Sequence, residues 1–328
     1  MYFLTGPLVE LAKRCYQNLE ITETESGDKF FSTFGPGNLM QSTDKPFERF
    51  SDYETLLDIL YNEDPEKYES MHKGTPFYFL SWLAFDLRNI EKALFYMDAA
   101  ISEDKRRAPD DWMNLPAASF LTLTDPKAQV ARRTVEAIRN LLAQELDRFN
   151  AISGLPPITI EQFRERFVKV LLEDDPQKRT IITAFYTFLL EFGERYRELQ
   201  LRSTMGGSIQ PFITHLFKGG LIFESLLKHL YPRKDDGTLT RTLGGIFGTE
   251  AFRDDFVPEV DTSSYSLQKI VEDIEDDTIQ SAFNTTAKLR NTTGHNLVWD
   301  DIFDPTPYRA LFTQEVNALF YLVAVKFS

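Results

Sequence analysis

The sequence predicts an all-α protein, with an array of helical hairpins in its N-terminal half followed by a C-terminal helical bundle. Three observations predict this class. Long segments repeat their apolar residues at three- and four-residue steps, the period of one helical face. Capping signals, Asp-Pro and Thr-x-x-Gln among them, stand directly before several of those segments. Alternation of apolar and polar residues, the mark of a half-buried strand, is confined to short patches before Phe50.

Taken in order, residues 6–18 predict a short helix. Residues 20–50 mix Gly, Pro, Ser and Thr with alternating patches such as LEITETE and KFFSTF, and predict a loop or a small β-hairpin. Within them GPGNLM lacks the strand and helix that flank a phosphate loop and is read as a turn. Ser51 or Asp52 caps a helix through Asn62 whose stripe is Tyr53, Leu56, Leu57 and Leu60. In residues 74–105, Leu80, Ser81, Ala84 and Phe85 are followed by Arg88 and Asn89 in a turn, then by Ala93, Met97 and Ala100 at small-large-small spacing. This pattern resembles a tetratricopeptide repeat, a helix-turn-helix unit of about 34 residues. Residues 112–123, and the helix after them, keep the helix-pair layout with a weaker repeat signature, so the array is irregular.

Asp125 caps and Pro126 starts a helix to Asn150, with Ala131, Val135, Ile138, Leu142, Leu146 and Phe149 on one face. Thr159 and Gln162 form a capping box for a helix to about Leu172, and Asp175 with Pro176 opens the next. The latter carries Ile181, Phe185, Phe188, Phe192 and Tyr196, a stripe that belongs to a core. Residues 200–208, with Met205, Gly206 and Gly207, are read as a linker, which divides the chain into domains 1–203 and 204–328. In the second, residues 217–231 form a strongly apolar helix. LGGIFG follows without the lysine of a nucleotide loop. The acidic run 272–277 either binds a cation or opens a helix near its positive dipole end. A helix then spans Ile279 to about Thr293, and Pro305 and Pro307 introduce a last one to Lys326, apolar on two faces.

The formal net charge of −14 excludes a general nucleic-acid coat, which would need clustered Lys and Arg. Candidates for a local basic rim are Lys228, Arg233, Lys234, Arg241 and Lys288. The single cysteine, Cys15, agrees with a reducing, cytoplasmic compartment, and the N-terminus lacks the pattern of a signal peptide or membrane span. The sequons at Asn284 and Asn291 are then incidental. The four histidines, His72, His215, His229 and His295, show no paired ligand spacing with one another or with Cys15. Neither a metal nor a cofactor is therefore expected.

The chemistry is placed in RNTTGH. Continuing the stripe of Ile279, Phe283, Thr286 and Ala287 leads to Arg290, and a guanidinium on an apolar stripe must meet an anion or a cleft. Arg290 and His295 lie about 140° apart on an unbroken helix. Gly294 in a left-handed C′ position would end the helix and bring His295 back beside Arg290. RNTTGH resembles the signature of the HEPN superfamily, in which an arginine, often followed by a polar residue, precedes a histidine at the end of the third helix of a small bundle. The resemblance covers residues 207–328 and implies a metal-independent endoribonuclease, active as a dimer through this domain, with Arg290 and His295 as the catalytic pair and Asn291 assisting them. Cleavage by the RNA's own 2′-OH would use His295 as general acid or base and Arg290 on the phosphate. The other expectation is a helical interaction protein whose HEPN-like domain dimerises or binds a ligand without catalysis. A protein or peptide partner of the N-terminal half fits either reading, and gating by that half resembles toxin-like or phage-defence proteins.

Overall fold

The computed structural model of the chain describes residues 46–124, 129–173, 176–201, 208–256, 259–263, 266–274, 278–294 and 304–327. The expected features at 6–18 and 35–40, Cys15, Asp125, Pro126, the centre of the linker and His295 lie outside these. The described residues are helical, with one isolated antiparallel bridge, Arg233 to Leu239, and no sheet. No described helix is long and apolar enough to cross a membrane. The chain divides into two compact units, Met1–Val135 and Glu136–Ser328.

The described part of the first unit starts with α1 (Pro46–Glu63) and α2 (Pro65–Ser70). The start of α1 corrects the expected loop to Phe50 and the expected cap at Ser51 or Asp52. Proline suits a first helical turn, and the buried stripe of Tyr53, Leu57 and Leu60 already begins at Phe50. Next come α3 (Gly74–Asp86) and α4 (Ile90–Arg107), a hairpin whose turn puts Arg88 at φ 56° and whose Asn89 side chain accepts from the Lys92 N–H. Of the positions that carry the repeat-like pattern, Leu80, Ser81, Ala84, Ala93, Met97 and Ala100 are fully buried and Phe85 is half-buried against the same core. The guanidiniums of Arg106 and Arg107 donate to carbonyls at the end of α2, tying it to α4. Residues 112–123 form a 3₁₀ turn, Trp112–Asn114, and the short α5 (Pro116–Leu121).

The helix α6 (Gln129–Ile152) passes from one unit into the next, with Val135, Ile138, Leu142, Leu146 and Phe149 buried as the stripe requires. Gly154, at φ 65°, follows it. The predicted capping box is present in both directions, with Thr159 Oγ1 accepting from the Gln162 N–H and Gln162 Oε1 from the Thr159 N–H. It opens α7 (Ile160–Phe163), which continues through a π-helical turn at Arg164–Val168 into α8 (Lys169–Glu173). Then come α9 (Pro176–Leu201), α10 (Gln210–Leu230), the short α11 (Leu243–Phe247), α12 (Glu250–Asp255) and α13 (Leu267–Glu272), α14 (Ile279–Thr293) and α15 (Pro305–Lys326).

The centre of the second unit is a bundle of α9, α10, α14 and α15. The expected linker at residues 200–208 falls in sequence at the junction of two of its packed helices, α9 and α10. Phe185, Phe188 and Phe192 of α9 meet Phe320 and Phe312 of α15, which confirms the aromatic stripe as core. His215 of α10 lies inside this packing. Its Nε2 bonds the Phe188 carbonyl at 2.8 Å, so it carries the proton, and Nδ1 accepts from the Tyr308 hydroxyl at 2.7 Å. Burial pulls its pKa down to about 3, and the ring is neutral.

Candidate functional site

The expected signature helix is α14, with the predicted bounds. Thr278 caps it by accepting from the Ser281 N–H, and Ala282, Phe283, Thr286, Ala287 and Leu289 are buried. One glycine governs how closely it approaches α10. A Cβ on Gly220 would lie 2.7 Å from Arg290 Cβ and 3.0 Å from its Cα, so only a bare α-carbon lets the helices meet there.

That approach sets the environment of Arg290. Its Nε donates to Glu224 Oε2 at 2.5 Å, and the Glu224 side chain, one helical turn beyond Gly220, is 5% exposed. Lys228 Nζ holds the other oxygen at 2.7 Å. The expected anion partner is thus a carboxylate of the chain itself, and the three groups carry one net positive charge between them. Arg290 Nη1 reaches Asn291 Oδ1 at 3.4 Å, while Nη2 has no partner among the described residues. The Arg290 side chain is 28% exposed, so this outer nitrogen is a donor held in place by the buried edge of the fork.

Asn291 faces a second structure. Its Nδ2 donates to the Thr262 carbonyl at 2.8 Å. Gln280 Nε2 donates to the Glu259 carbonyl at 2.7 Å, and Asn284 Oδ1 accepts from the Asp261 N–H at 2.9 Å. Residues 280, 284 and 291 share a face of α14, and together with Lys288 they fasten residues 259–263 to it. Lys288 Nζ sits between Asp261 Oδ2 at 3.0 Å and Asp273 Oδ2 at 3.1 Å. Burial draws its pKa down, but the two carboxylates outweigh this and hold it above the usual lysine value. Lys288 is therefore a buried tie and leaves the expected basic rim. Arg233, Lys234 and Arg241 are exposed.

Residues 259–263 also border a cavity of about 500 Å³ beside the site, lined by Phe247, Phe252, Phe256, Arg253, Gly244 and Gly248. Thr262 lines it too and receives Asn291 through its carbonyl, so the cavity shares a wall with Asn291.

The structure brings Arg290 and Asn291 together, and His295 lies outside the described residues. Gly294 departs from the expectation. It is right-handed, at φ −68° and ψ −13°, and closes the helix with its N–H on the Arg290 carbonyl. Its requirement is space, since a Cβ would meet the Phe217 ring at 3.1 Å. Sequence reasoning gave no role to Glu224, Gln280 or Asn284. A glutamate inside the most apolar stretch of α10, and amides at four-residue spacing beside an apolar stripe, are the signals that find them.

The histidines other than His295 are placed elsewhere. His72 pairs with Asp104 at 3.1 Å, and His229 stacks on Phe327. No group of three His, Cys, Asp or Glu able to hold a metal occurs among the described residues.

No protein-family model, curated protein or solved structure matches the chain. Its function therefore rests on the chemistry of its own residues.

Proposed function

We propose that the second unit is a metal-independent endoribonuclease of the HEPN type, with Arg290, Asn291 and His295 as its site. The observation that carries this reading is Arg290 held at Nε by buried Glu224 with Nη2 left to an outside anion. A guanidinium fixed on one edge is oriented before a phosphate arrives, so little is lost in ordering it. Lys228 on the same carboxylate keeps the local charge positive in an acidic chain. In this reading Glu224 is a positioning residue, and Asn291 braces Arg290 against residues 259–263. His295 moves the proton of the 2′-OH or of the leaving oxygen, which makes RNA the substrate and a 2′,3′-cyclic phosphate the product. A dimer through this unit supplies the second proton-transfer group. A toxin-like or defence role, gated by the N-terminal helices, is part of the proposal.

The other reading, a non-catalytic module for dimerisation or ligand binding, is favoured by the same Arg290–Glu224 contact, because a neutral pair between α10 and α14 also serves as a structural tie. Cleavage of single-stranded RNA and tRNA in excess EDTA separates the two. The nuclease reading expects wild-type cleavage that falls at least a hundredfold in His295→Ala and in Arg290→Lys, with circular dichroism unchanged and 2′-deoxy substrate intact. A folded His295→Ala that cuts RNA at the wild-type rate would sink it, and retained dimerisation without cleavage would favour the module.

A further inference from the structure

The first unit contains a cleft that the nuclease reading does not use. It lies between α1, α2, α3 and α4, with a volume of about 430 Å³. Five rings form its walls: Tyr61 and Tyr68 in edge contact at 5.3 Å, Phe77 stacked on Tyr96 at 5.9 Å, and Phe95 edge-on to Tyr96 at 5.2 Å. Glu54 and Asp58 of α1 supply carboxylates to the same cleft. Glu54 accepts from the Tyr96 hydroxyl at 2.5 Å and pairs with Lys92 at 2.7 Å, while Asp58 Oδ1 accepts, among the described residues, only from Asn62 of its own helix.

Three features describe what fits. Aromatic faces with carboxylates beside them attract ammonium and guanidinium groups. The chain already uses this chemistry at both edges of the cleft, where Lys92 Nζ lies 4.4 Å from the centre of the Phe50 ring and Lys73 Nζ lies 4.4 Å from that of Tyr68. The segment 46–70, which forms one side of it, holds eight acidic residues against two basic ones, so its field draws cations. The rim rings are also open to solvent: Tyr61 is 53% and Phe95 65% exposed, and Phe47 on the same helix as Tyr61 is 57% exposed. A small cation would leave those rings uncovered. An arginine or lysine with apolar neighbours in a peptide covers them.

We infer that this cleft is a docking site for a basic segment of a partner protein, which inserts an arginine or lysine between the rings toward Asp58 and Glu54 and lays apolar flanks over Tyr61 and Phe95. The inference is independent of the phosphodiester reading, since all of its residues lie in the first unit.

The test is fluorescence anisotropy of the full chain with a fluorescein-labelled Gly-Leu-Arg-Leu-Lys-Gly peptide, against controls with both basic residues replaced by Gln or by Glu. Binding of the basic peptide is expected, weakening as NaCl rises from 50 to 300 mM. At least a tenfold loss is expected in Phe95→Ala and in Asp58→Lys, both at exposed positions where the fold survives. No binding up to millimolar protein, equal binding of the Gln peptide, or wild-type affinity in either variant would overturn the inference. A concentration-dependent rise in mass that Phe95→Ala abolishes would make a second copy of the chain the occupant, and would overturn it too.

Discussion

Glu315 is 0% exposed on α15, with its carboxyl against Gly219, where a Cβ would come within 2.6 Å of it. Among the described residues no side chain donates to it, and the Gly220 N–H is the backbone dipole that favours its charged form. Burial outweighs that dipole, so the group titrates well above the usual 4.5 and keeps its proton in the fold to a higher pH than in the unfolded chain. Below pH 4.5 the carboxyl is neutral in both states. Above it the unfolded chain gives up the proton and the folded chain keeps it, so stability falls by about 1.4 kcal/mol per pH unit until the folded pKa is reached. His215 acts in the opposite sense. Neutral in the fold down to about 3, it lets the unfolded chain gain a proton below 6.5, so its contribution is lost as the pH falls through that window. Glu315→Gln should therefore raise the thermal midpoint at pH 7 to 8 and leave it unchanged near pH 4. Equal midpoints for variant and wild type across this range would mean that the carboxyl is ionised in the fold.

At the scale of the helix pair, Gly219 and Gly220 weaken α10 on propensity alone by about 1 kcal/mol each. Their reason is long-range: one faces the Glu315 carboxyl and the other the backbone of Arg290. Gly220→Ala should cost about 1–3 kcal/mol by forcing α10 and α14 apart. Gly244→Ala, where a Cβ meets nothing within 4 Å, should cost nothing measurable. Urea midpoints compare them, and an undiminished Gly220→Ala would disprove the close approach. The same contrast explains what the sequence reveals. The bounds of α14 and the Thr159–Gln162 box were legible because their causes lie within a turn of chain. Pairing of Arg290 with Glu224, 66 positions away, was not, and neither was the burial of Lys288 between Asp261 and Asp273. The sequence showed that Arg290 needed an anion without saying that the chain supplies it. Gly294 fitted a left-handed cap by type, while its actual constraint is the ring of Phe217, which no local pattern contains.

Across the whole molecule, the all-α class was readable from periodicity, whereas the way α9 joins the α10, α14 and α15 bundle depends on contacts between distant segments. One feature of that bundle bears on how it assembles. In α14, Thr285, Thr286, Thr292 and Thr293 are all buried, and the hydroxyls of Thr286 and Thr293 bond back to carbonyls of their own helix. Threonine and asparagine are poor helix formers, so little of α14 holds together before α10 and α15 are there to receive it. The rate-limiting barrier should then be crossed with α14 still largely unformed. Leu289→Ala and Phe283→Leu should leave refolding rates near wild type and quicken unfolding by nearly the full loss of stability, as stopped-flow chevrons would report. Slower refolding with unchanged unfolding would put α14 in the nucleus instead. The helix that carries Arg290 and Asn291 would on this account form late and be lost early.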